Sequence, residues 1–195
     1  MAYRIYHVEG IVLQSKPTGE GDALLFVYTK ELGLVFVVAK SLRLARSRLR
    51  FVLQRFAHAH LDLVRGKHGW RLTSARTIDT QSTLFRHPYR KKALAAMASM
   101  LLRLIQGEEP HPELYMIIFQ ELERLRALDS AVDCHLFELH AAMTILRSLG
   151  YWEDLPGDPL VPAAQEEFGR YLLAIEKERS RLIPRINTAL RATHL

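Results

Sequence analysis

The stretch FAHAHLDLV, residues 56–64, decides the first half of the fold because its side chains alternate in character from Ala57 to Leu63. The small and aliphatic residues fall on one face of an extended chain: Ala57, Ala59, Leu61 and Leu63. The opposite face carries His58, His60 and Asp62. A period of two residues is typical of a β-strand with one buried face. The stretch therefore predicts a strand that covers a hydrophobic core.

Segments on both sides of this stretch predict four more strands. RGKHG supplies two glycines for a hairpin loop, and WRLTSARTI, residues 70–78, follows as a strand. Upstream, residues 9–16, 23–29 and 34–40 are rich in residues that favour strands. One long connection lies between the third and fourth strands. Five strands in about eighty residues with this spacing indicate a closed or nearly closed barrel of the OB-fold type.

From about residue 88 the apolar residues recur with a helical period. The pattern predicts a helix that ends before Gly107, then helices at about 112–128 and 131–149, an irregular segment at 151–162, and one or two helices at about 163–178 and 180–193. Helices with single apolar stripes bury them by forming a bundle. The predicted class is α+β, with an OB-fold domain at residues 1–80 and an all-α helical domain at residues 81–195.

Positive charge is concentrated in the first half. Residues 1–80 contain 13 Lys and Arg against 6 Asp and Glu, whereas the rest contains 14 against 15. The stretch KSLRLARSRLR, residues 40–50, has five basic side chains and no acidic one. A solvated loop would also be basic, but its place in the long connection of a barrel favours contact with a polyanion. The predicted nucleic-acid-binding set, which the family resemblance described below narrows to DNA, is Lys40, Arg43, Arg46, Arg48, Arg50, Arg55, Arg65 and Lys67.

Aromatic residues of the strands are a second candidate surface, because exposed rings can stack on bases. They are Phe26, Tyr28, Phe36, Phe56 and Trp70. Strand aromatics more often belong to a core. Tyr28 and Trp70 carry a polar atom each and are therefore the two that we expect to be exposed.

Other kinds of site find little support. Nine histidines occur, but they show no spacing typical of zinc, and no nucleophile–base arrangement stands out, so we expect no metal, no cofactor and no enzymatic activity. The single cysteine, Cys134, excludes an internal disulfide and is expected to be a small core residue. Neither a secretory signal nor a bilayer-length apolar run is evident, which predicts a cytoplasmic protein without membrane attachment.

Several short motifs resemble the bacterial DNA repair protein RecO family. They are EGIVL at residues 9–13, GEGD at 19–22, TKELG at 29–33 and the basic stretch AKSLRLARSRL at 39–49. A weaker similarity continues through HPELY at 111–115 and the run from FELH to LRSLGY at 137–151. Together the similarity covers roughly residues 5–151.

The resemblance implies an OB-fold followed by a helical domain. It also implies a protein that binds single- and double-stranded DNA, anneals complementary strands, and assists RecA loading together with RecR and the single-stranded-DNA-binding protein. Many family members carry a four-cysteine zinc site after the leucine-glycine-tyrosine segment, and here GYWEDLPGDPLVP contains no cysteine. The expectation is a short, divergent member of the family without zinc.

Two alternatives stay open from the sequence. An OB-fold with a basic loop also suits RNA. The helical half could instead act as a protein-docking adaptor, with the basic loop in a supporting role.

Overall fold

The computed structural model describes residues 4–67, 69–159, 161 and 165–193. Its strands are β1 Ile5–Thr18, β2 Asp22–Thr29, β3 Gly33–Ala39, β4 His58–Gly66 and β5 Gly69–Asp79. Its helices are α1 Leu49–Val52, α2 Pro88–Leu104, α3 Pro112–Arg126, α4 Ala131–Ser148 and α5 Phe168–Ala192. Short 3-10 turns cover Ser82–Arg86 and Gln165–Glu167.

The five strands close into a barrel in the order β1-β2-β3-β5-β4. β1 is long enough to pair with β2 along one part and with β4 along another, and β3 closes the barrel by a short parallel pairing with β5. Gly10 lies where β1 pairs with both β2 and β4. A Cβ at this position would be only 2.9 Å from the Tyr28 carbonyl oxygen, so a larger residue would not fit without a shift. The predicted fold class is thus confirmed.

The barrel core is filled by the alternating faces of the strands. All four residues of the predicted inner face of β4 are buried. Leu42 and Leu53, from the long connection between β3 and β4, join the same core. The strands supply the rest: Val8, Val12, Ala23, Leu25, Val27, Val35, Val37, Ala39, Ala59, Leu61, Leu63 and Trp70.

Tyr28 and Trp70 are buried rather than exposed, which corrects the expectation from the sequence. Tyr28 is 0% and Trp70 2% exposed. The Trp70 ring packs edge-on against Tyr6, with 4.9 Å between the centroids. The Tyr28 hydroxyl donates to the His111 carbonyl oxygen at 3.3 Å, and burial raises the pKa of Tyr28 to about 12. The Trp70 ring N–H donates to the Glu108 carboxylate, so each polar atom meets a partner that is distant in sequence and neither ring needs to face water.

The chain divides into two compact units. The barrel unit contains residues 1–82 and also residues 105–115, which the sequence pattern assigns to the helical domain. We call residues 105–115 the strap. Residues 83–104 and 116–195 form the helical unit. The predicted boundary at residue 80 lies close to the end of the first segment of the barrel unit.

The helices bury the stripes that the sequence indicated. In α3 the whole predicted stripe is buried: Leu114, Ile118, Leu122 and Leu125. Ser130 caps the start of α4, since its hydroxyl accepts a hydrogen bond from the Asp133 backbone N–H, and the helix buries Cys134. The last part of the chain forms one helix, α5, rather than two, and Pro184 lies inside it. The predicted start at residue 163 lies outside the described residues.

A polar network crosses the interior of the helical unit. The Glu121 carboxylate is 1% exposed and lies 2.8 Å from His140 Nε2. Arg124 donates to Glu121 at 2.6 Å, and His140 Nδ1 lies 3.0 Å from the Tyr171 hydroxyl. A buried carboxylate is tolerable only with such partners. The network therefore ties α3, α4 and α5 together.

Ion pairs fasten the irregular segment after α4, where the family resemblance would place a zinc site. Arg185 donates to Asp158 at 2.8 Å and lies over the Trp152 ring at 4.3 Å from its centroid. Arg181 pairs with the same carboxylate at 2.9 Å. Arg147 Nε donates to Asp154 at 2.9 Å. In the described part of the chain, no helix combines the length and the hydropathy that crossing a bilayer requires.

Candidate nucleic-acid interface

A single row of side chains crosses the outer surface of the barrel. The strand register aligns Lys16 with Leu24, Leu24 with Val38, and Val38 with Arg71. It continues from Arg71 to Val64 and from Val64 to Ile5. We call these six residues the outer row. Because strand side chains alternate between faces, each of them points away from the core. The row therefore combines two cations with four apolar side chains.

Part of the outer row forms the floor of a surface groove of about 1040 Å³. The groove is lined by Ile5, Val38, Lys40, Val64, Arg65, Gly66, Lys67, Gly69, Trp70, Arg71 and Thr73. Lys40 follows β3, whereas Arg65 and Lys67 come from the end of β4 and the turn after it. Four cations thus surround an apolar floor.

Three of these cations are open to an incoming anion. Lys40, Lys67 and Arg71 are exposed, and among the described residues none of the three forms an ion pair. Arg65 differs, since its guanidinium lies 3.1 Å from a Glu108 carboxylate oxygen. Arg71 is absent from the set predicted from the sequence. Its place beside Val38 depends on the parallel pairing of β3 with β5, which no local pattern reveals.

Next to the outer row lies an aromatic pair in which Phe36 is exposed and Phe26 is half-buried. Phe36 is 50% exposed and meets Phe26 edge-on at 5.0 Å between ring centroids. Lys16 Nζ lies 4.9 Å from the centre of the Phe26 ring. Phe36 could have been recognised from the sequence, because it is out of phase with the buried Val35 and Val37. The aromatic surface of the barrel next to the outer row is therefore formed by this pair of β2 and β3, whereas Tyr28 and Trp70 are buried.

The basic stretch is tied back to the turn between β1 and β2. Ser41 has a left-handed backbone (φ 56°), and its N–H donates to the Asp22 carboxylate at 2.7 Å. The Arg43 backbone N–H donates to the Gly21 carbonyl oxygen at 2.9 Å, and its guanidinium donates to the Gly19 carbonyl oxygen at 3.4 Å. The GEGD motif therefore has a structural role, because it anchors the start of the basic loop.

The remaining predicted DNA-binding residues fall into two groups. Arg46 and Arg48 are exposed, and neither guanidinium forms a hydrogen bond, an ion pair or a cation–π contact among the described residues. Arg50 lies over the Phe51 ring at 4.4 Å. Arg55 is half-buried, donates to the Leu13 carbonyl oxygen at 3.1 Å and lies over the Phe56 ring. Arg55 thus has a structural role in the barrel, whereas the other three present their charge to solvent.

A second polar cluster of the barrel unit links β1, β4 and the end of the strap. His58 Nε2 lies 2.8 Å from Glu9 Oε1, and the Tyr115 hydroxyl donates to the same oxygen at 3.2 Å. The Glu9 backbone N–H donates to Glu31 at 2.9 Å. Burial acts to raise the pKa of Glu9, but the hydrogen bond and charge of His58 and the bond from Tyr115 hold that pKa below its ordinary value. Among the described residues, no group of three or more His, Cys, Asp or Glu could hold a metal ion.

The Glu9 cluster predicts acid-sensitive stability of the barrel. A carboxyl group whose pKa is lower in the folded than in the unfolded chain stabilises the fold above its unfolded pKa, and this contribution is lost as the pH falls through the folded value. We expect Glu9→Gln to destabilise the protein by about 1 kcal/mol or less at neutral pH, because Glu9 is partly exposed. The difference from the unsubstituted chain should shrink below about pH 4.5. Urea titrations across this pH range measure it, and a difference that does not change with pH would contradict the assignment.

Comparison with known proteins agrees with this architecture. The family model described as "Recombination protein O N terminal" matches residues 1–81. A protein named DNA repair protein RecO from Desulfitobacterium hafniense is 30% identical over 147 residues, which cover 75% of this chain and 52% of that protein. A protein of the same name from Gloeothece citriformis is 32% identical over 122 residues, 63% of this chain and 43% of that protein.

A third relative, the DNA repair protein RecO of Heliobacterium modesticaldum, is 29% identical over 152 residues, with 78% of this chain and 54% of that protein covered. The chain spans about half the length of the curated relatives that it matches. The match of the barrel to the family model, together with the similarity to several RecO proteins, shows that residues 1–81 belong to the family of recombination protein O (RecO) N-terminal domains.

Proposed function

We propose that this chain binds DNA through the outer row and the groove above it, as a mediator of recombinational DNA repair. The observation that carries the proposal is the combination of cations and apolar side chains in one row, with Arg71 between Val38 and Val64. Such a surface offers partners to both parts of a nucleotide, since cations attract phosphates and apolar or aromatic side chains accept base faces.

This combination favours a single strand as the ligand of the groove. In a duplex the base faces are stacked inside, so that only phosphates and groove edges reach a protein. In a single strand the bases can turn toward Val38, Val64 or the exposed Phe36 while the phosphates meet Lys40 and Arg71. Duplex DNA would use the charges alone, including those of Arg46 and Arg48 in the basic loop.

The mediator role extends this binding to strand annealing and to the loading of RecA. The relatives are named DNA repair proteins, which supports a role of this chain in repair. We propose that it anneals complementary single strands and assists the loading of RecA, with RecR and the single-stranded-DNA-binding protein as partners. In this role the chain binds rather than catalyses, because annealing forms base pairs without making or breaking a covalent bond.

A strand-annealing assay tests the proposal. Complementary oligonucleotides coated with the cognate single-stranded-DNA-binding protein should anneal faster when the chain is added. In a parallel competition, DNA should displace a labelled DNA probe at lower concentration than RNA of the same sequence, because a protein that reads the 2′-hydroxyl would prefer RNA.

The outcomes separate the alternatives. Binding without annealing would reduce the chain to a binding module, and preference for RNA would replace the repair assignment by an RNA-binding one. Loss of annealing only on coated strands, with naked strands still annealed, would argue against the partnership with the single-stranded-DNA-binding protein.

A further inference from the structure

The strap positions one acidic side chain at the edge of the groove. Gly33 approaches the strap so closely that a Cβ on it would lie 2.3 Å from the Glu109 carbonyl oxygen. One residue earlier in the strap, Glu108 Oε1 accepts a hydrogen bond from Trp70 Nε1 at 2.9 Å. Because Trp70 is part of the barrel core, this bond fixes the Glu108 carboxylate relative to the strands.

The other oxygen of the same carboxylate neutralises a groove cation. Glu108 Oε2 lies 3.1 Å from a guanidinium nitrogen of Arg65, and Arg65 also lies over the Trp70 ring at 5.3 Å. The two carboxylate oxygens of Glu108 thus contact two N–H donors, one of Trp70 and one of Arg65. A phosphate would contact Arg65 in a similar way, because it also accepts through more than one oxygen. Lys40, Lys67 and Arg71 have no such counter-ion among the described residues.

We propose that Glu108 is a built-in competitor of the nucleic-acid phosphate at Arg65. This inference rests on the proposed function and adds its regulation. A strand that enters the groove meets Lys40, Lys67 and Arg71 directly, but its phosphate reaches Arg65 only by displacing the Glu108 carboxylate. The strand is therefore held less tightly at Arg65 than at the other three cations. It can be released from Arg65 first when a complementary strand or another protein pulls on it.

Replacing Glu108→Gln tests the competition. Glutamine keeps an oxygen that accepts from Trp70 Nε1 but loses the charge that neutralises Arg65. Because exposed ion pairs are weak, we expect single-stranded DNA to bind about threefold to fivefold more tightly, as measured by fluorescence anisotropy at about 50 mM salt. The log–log salt slope should become steeper by up to about 0.7, the value for one additional phosphate contact on a single strand.

Glu109→Gln is the matched control. It removes the same charge from the neighbouring residue of the strap, and Glu109 forms no ion pair among the described residues. We expect its effect to stay below about twofold, because only long-range screening is changed. Equal gains for Glu108→Gln and Glu109→Gln would overturn the competition, since they would reveal a general charge effect.

A second comparison does not depend on changing Glu108. If Arg65 is already neutralised, Arg65→Gln should weaken binding about twofold, whereas Arg71→Gln should weaken it about fivefold or more. In an Arg65→Gln background, Glu108→Gln should no longer tighten binding. Equal losses from the two arginine variants would contradict the inference. Failure of the unsubstituted chain to bind any oligonucleotide would instead contradict the proposed function.

Discussion

Replacing Lys40, Lys67 and Arg71 together with alanine is expected to lower the affinity for single-stranded DNA roughly 30- to 100-fold near 100 mM salt. These are the three groove cations without an ion pair among the described residues. Each charge-assisted contact with a phosphate releases counterions, so the log–log salt slope should become shallower by about 2 when three contacts are lost. Anisotropy titrations at several salt concentrations measure both quantities.

Two further triple variants serve as controls for this prediction. Alanine at Arg170, Lys177 and Arg191 removes the same charge from exposed positions of α5 and should change affinity less than about threefold. Alanine at Arg46, Arg48 and Arg50 removes three positive charges from the basic loop. If the loop variant loses affinity while the groove variant binds normally, the strand lies along the loop and the groove assignment is wrong.

The sequence could predict the barrel because its evidence is local. The alternation in β4 and the spacing of the turns are properties of neighbouring residues, and the burial of Ala57, Ala59, Leu61 and Leu63 follows from them. The same holds for the stripe of α3. The sequence pattern leaves one or two helices open at the end of the chain, and the structure shows a single helix, α5, that continues through Pro184.

The candidate site was predicted only in part, because it depends on contacts between distant segments. Lys40, Arg65 and Lys67 were chosen for their charge and do line the groove. Arg71 reaches it through a parallel pairing of β3 and β5, which alternation within β5 cannot reveal. Trp70 and Tyr28 were expected to be exposed because each has a polar atom, but the strap supplies Glu108 and the His111 carbonyl oxygen to those atoms. No local sequence pattern indicates that residues 105–115 belong to the barrel unit.

The strap makes Gly33 the most sensitive glycine for a stability test. Gly33 has a left-handed backbone (φ 68°), and a Cβ on it would lie 2.3 Å from an oxygen and 2.7 Å from a carbon of the Glu109 backbone. Backbone atoms cannot move aside as a flexible side chain can. We expect Gly33→Ala to lower the free energy of unfolding by about 3 kcal/mol, of which roughly 1 kcal/mol comes from the backbone conformation and the rest from displacement of the strap.

Gly19→Ala separates these two contributions. Gly19 also has a left-handed backbone (φ 56°), but a Cβ there meets no atom within 4 Å, so its replacement should cost only about 1 kcal/mol. Urea denaturation of both variants gives the difference. Displacement of the strap should also free Trp70 Nε1 from Glu108 and shift the tryptophan emission of the folded protein to longer wavelength. If both variants lose the same free energy of unfolding and the emission does not change, the strap can move away from Gly33 without a loss of stability. A strap that moves so easily could not hold the Glu108 carboxylate in place beside Arg65.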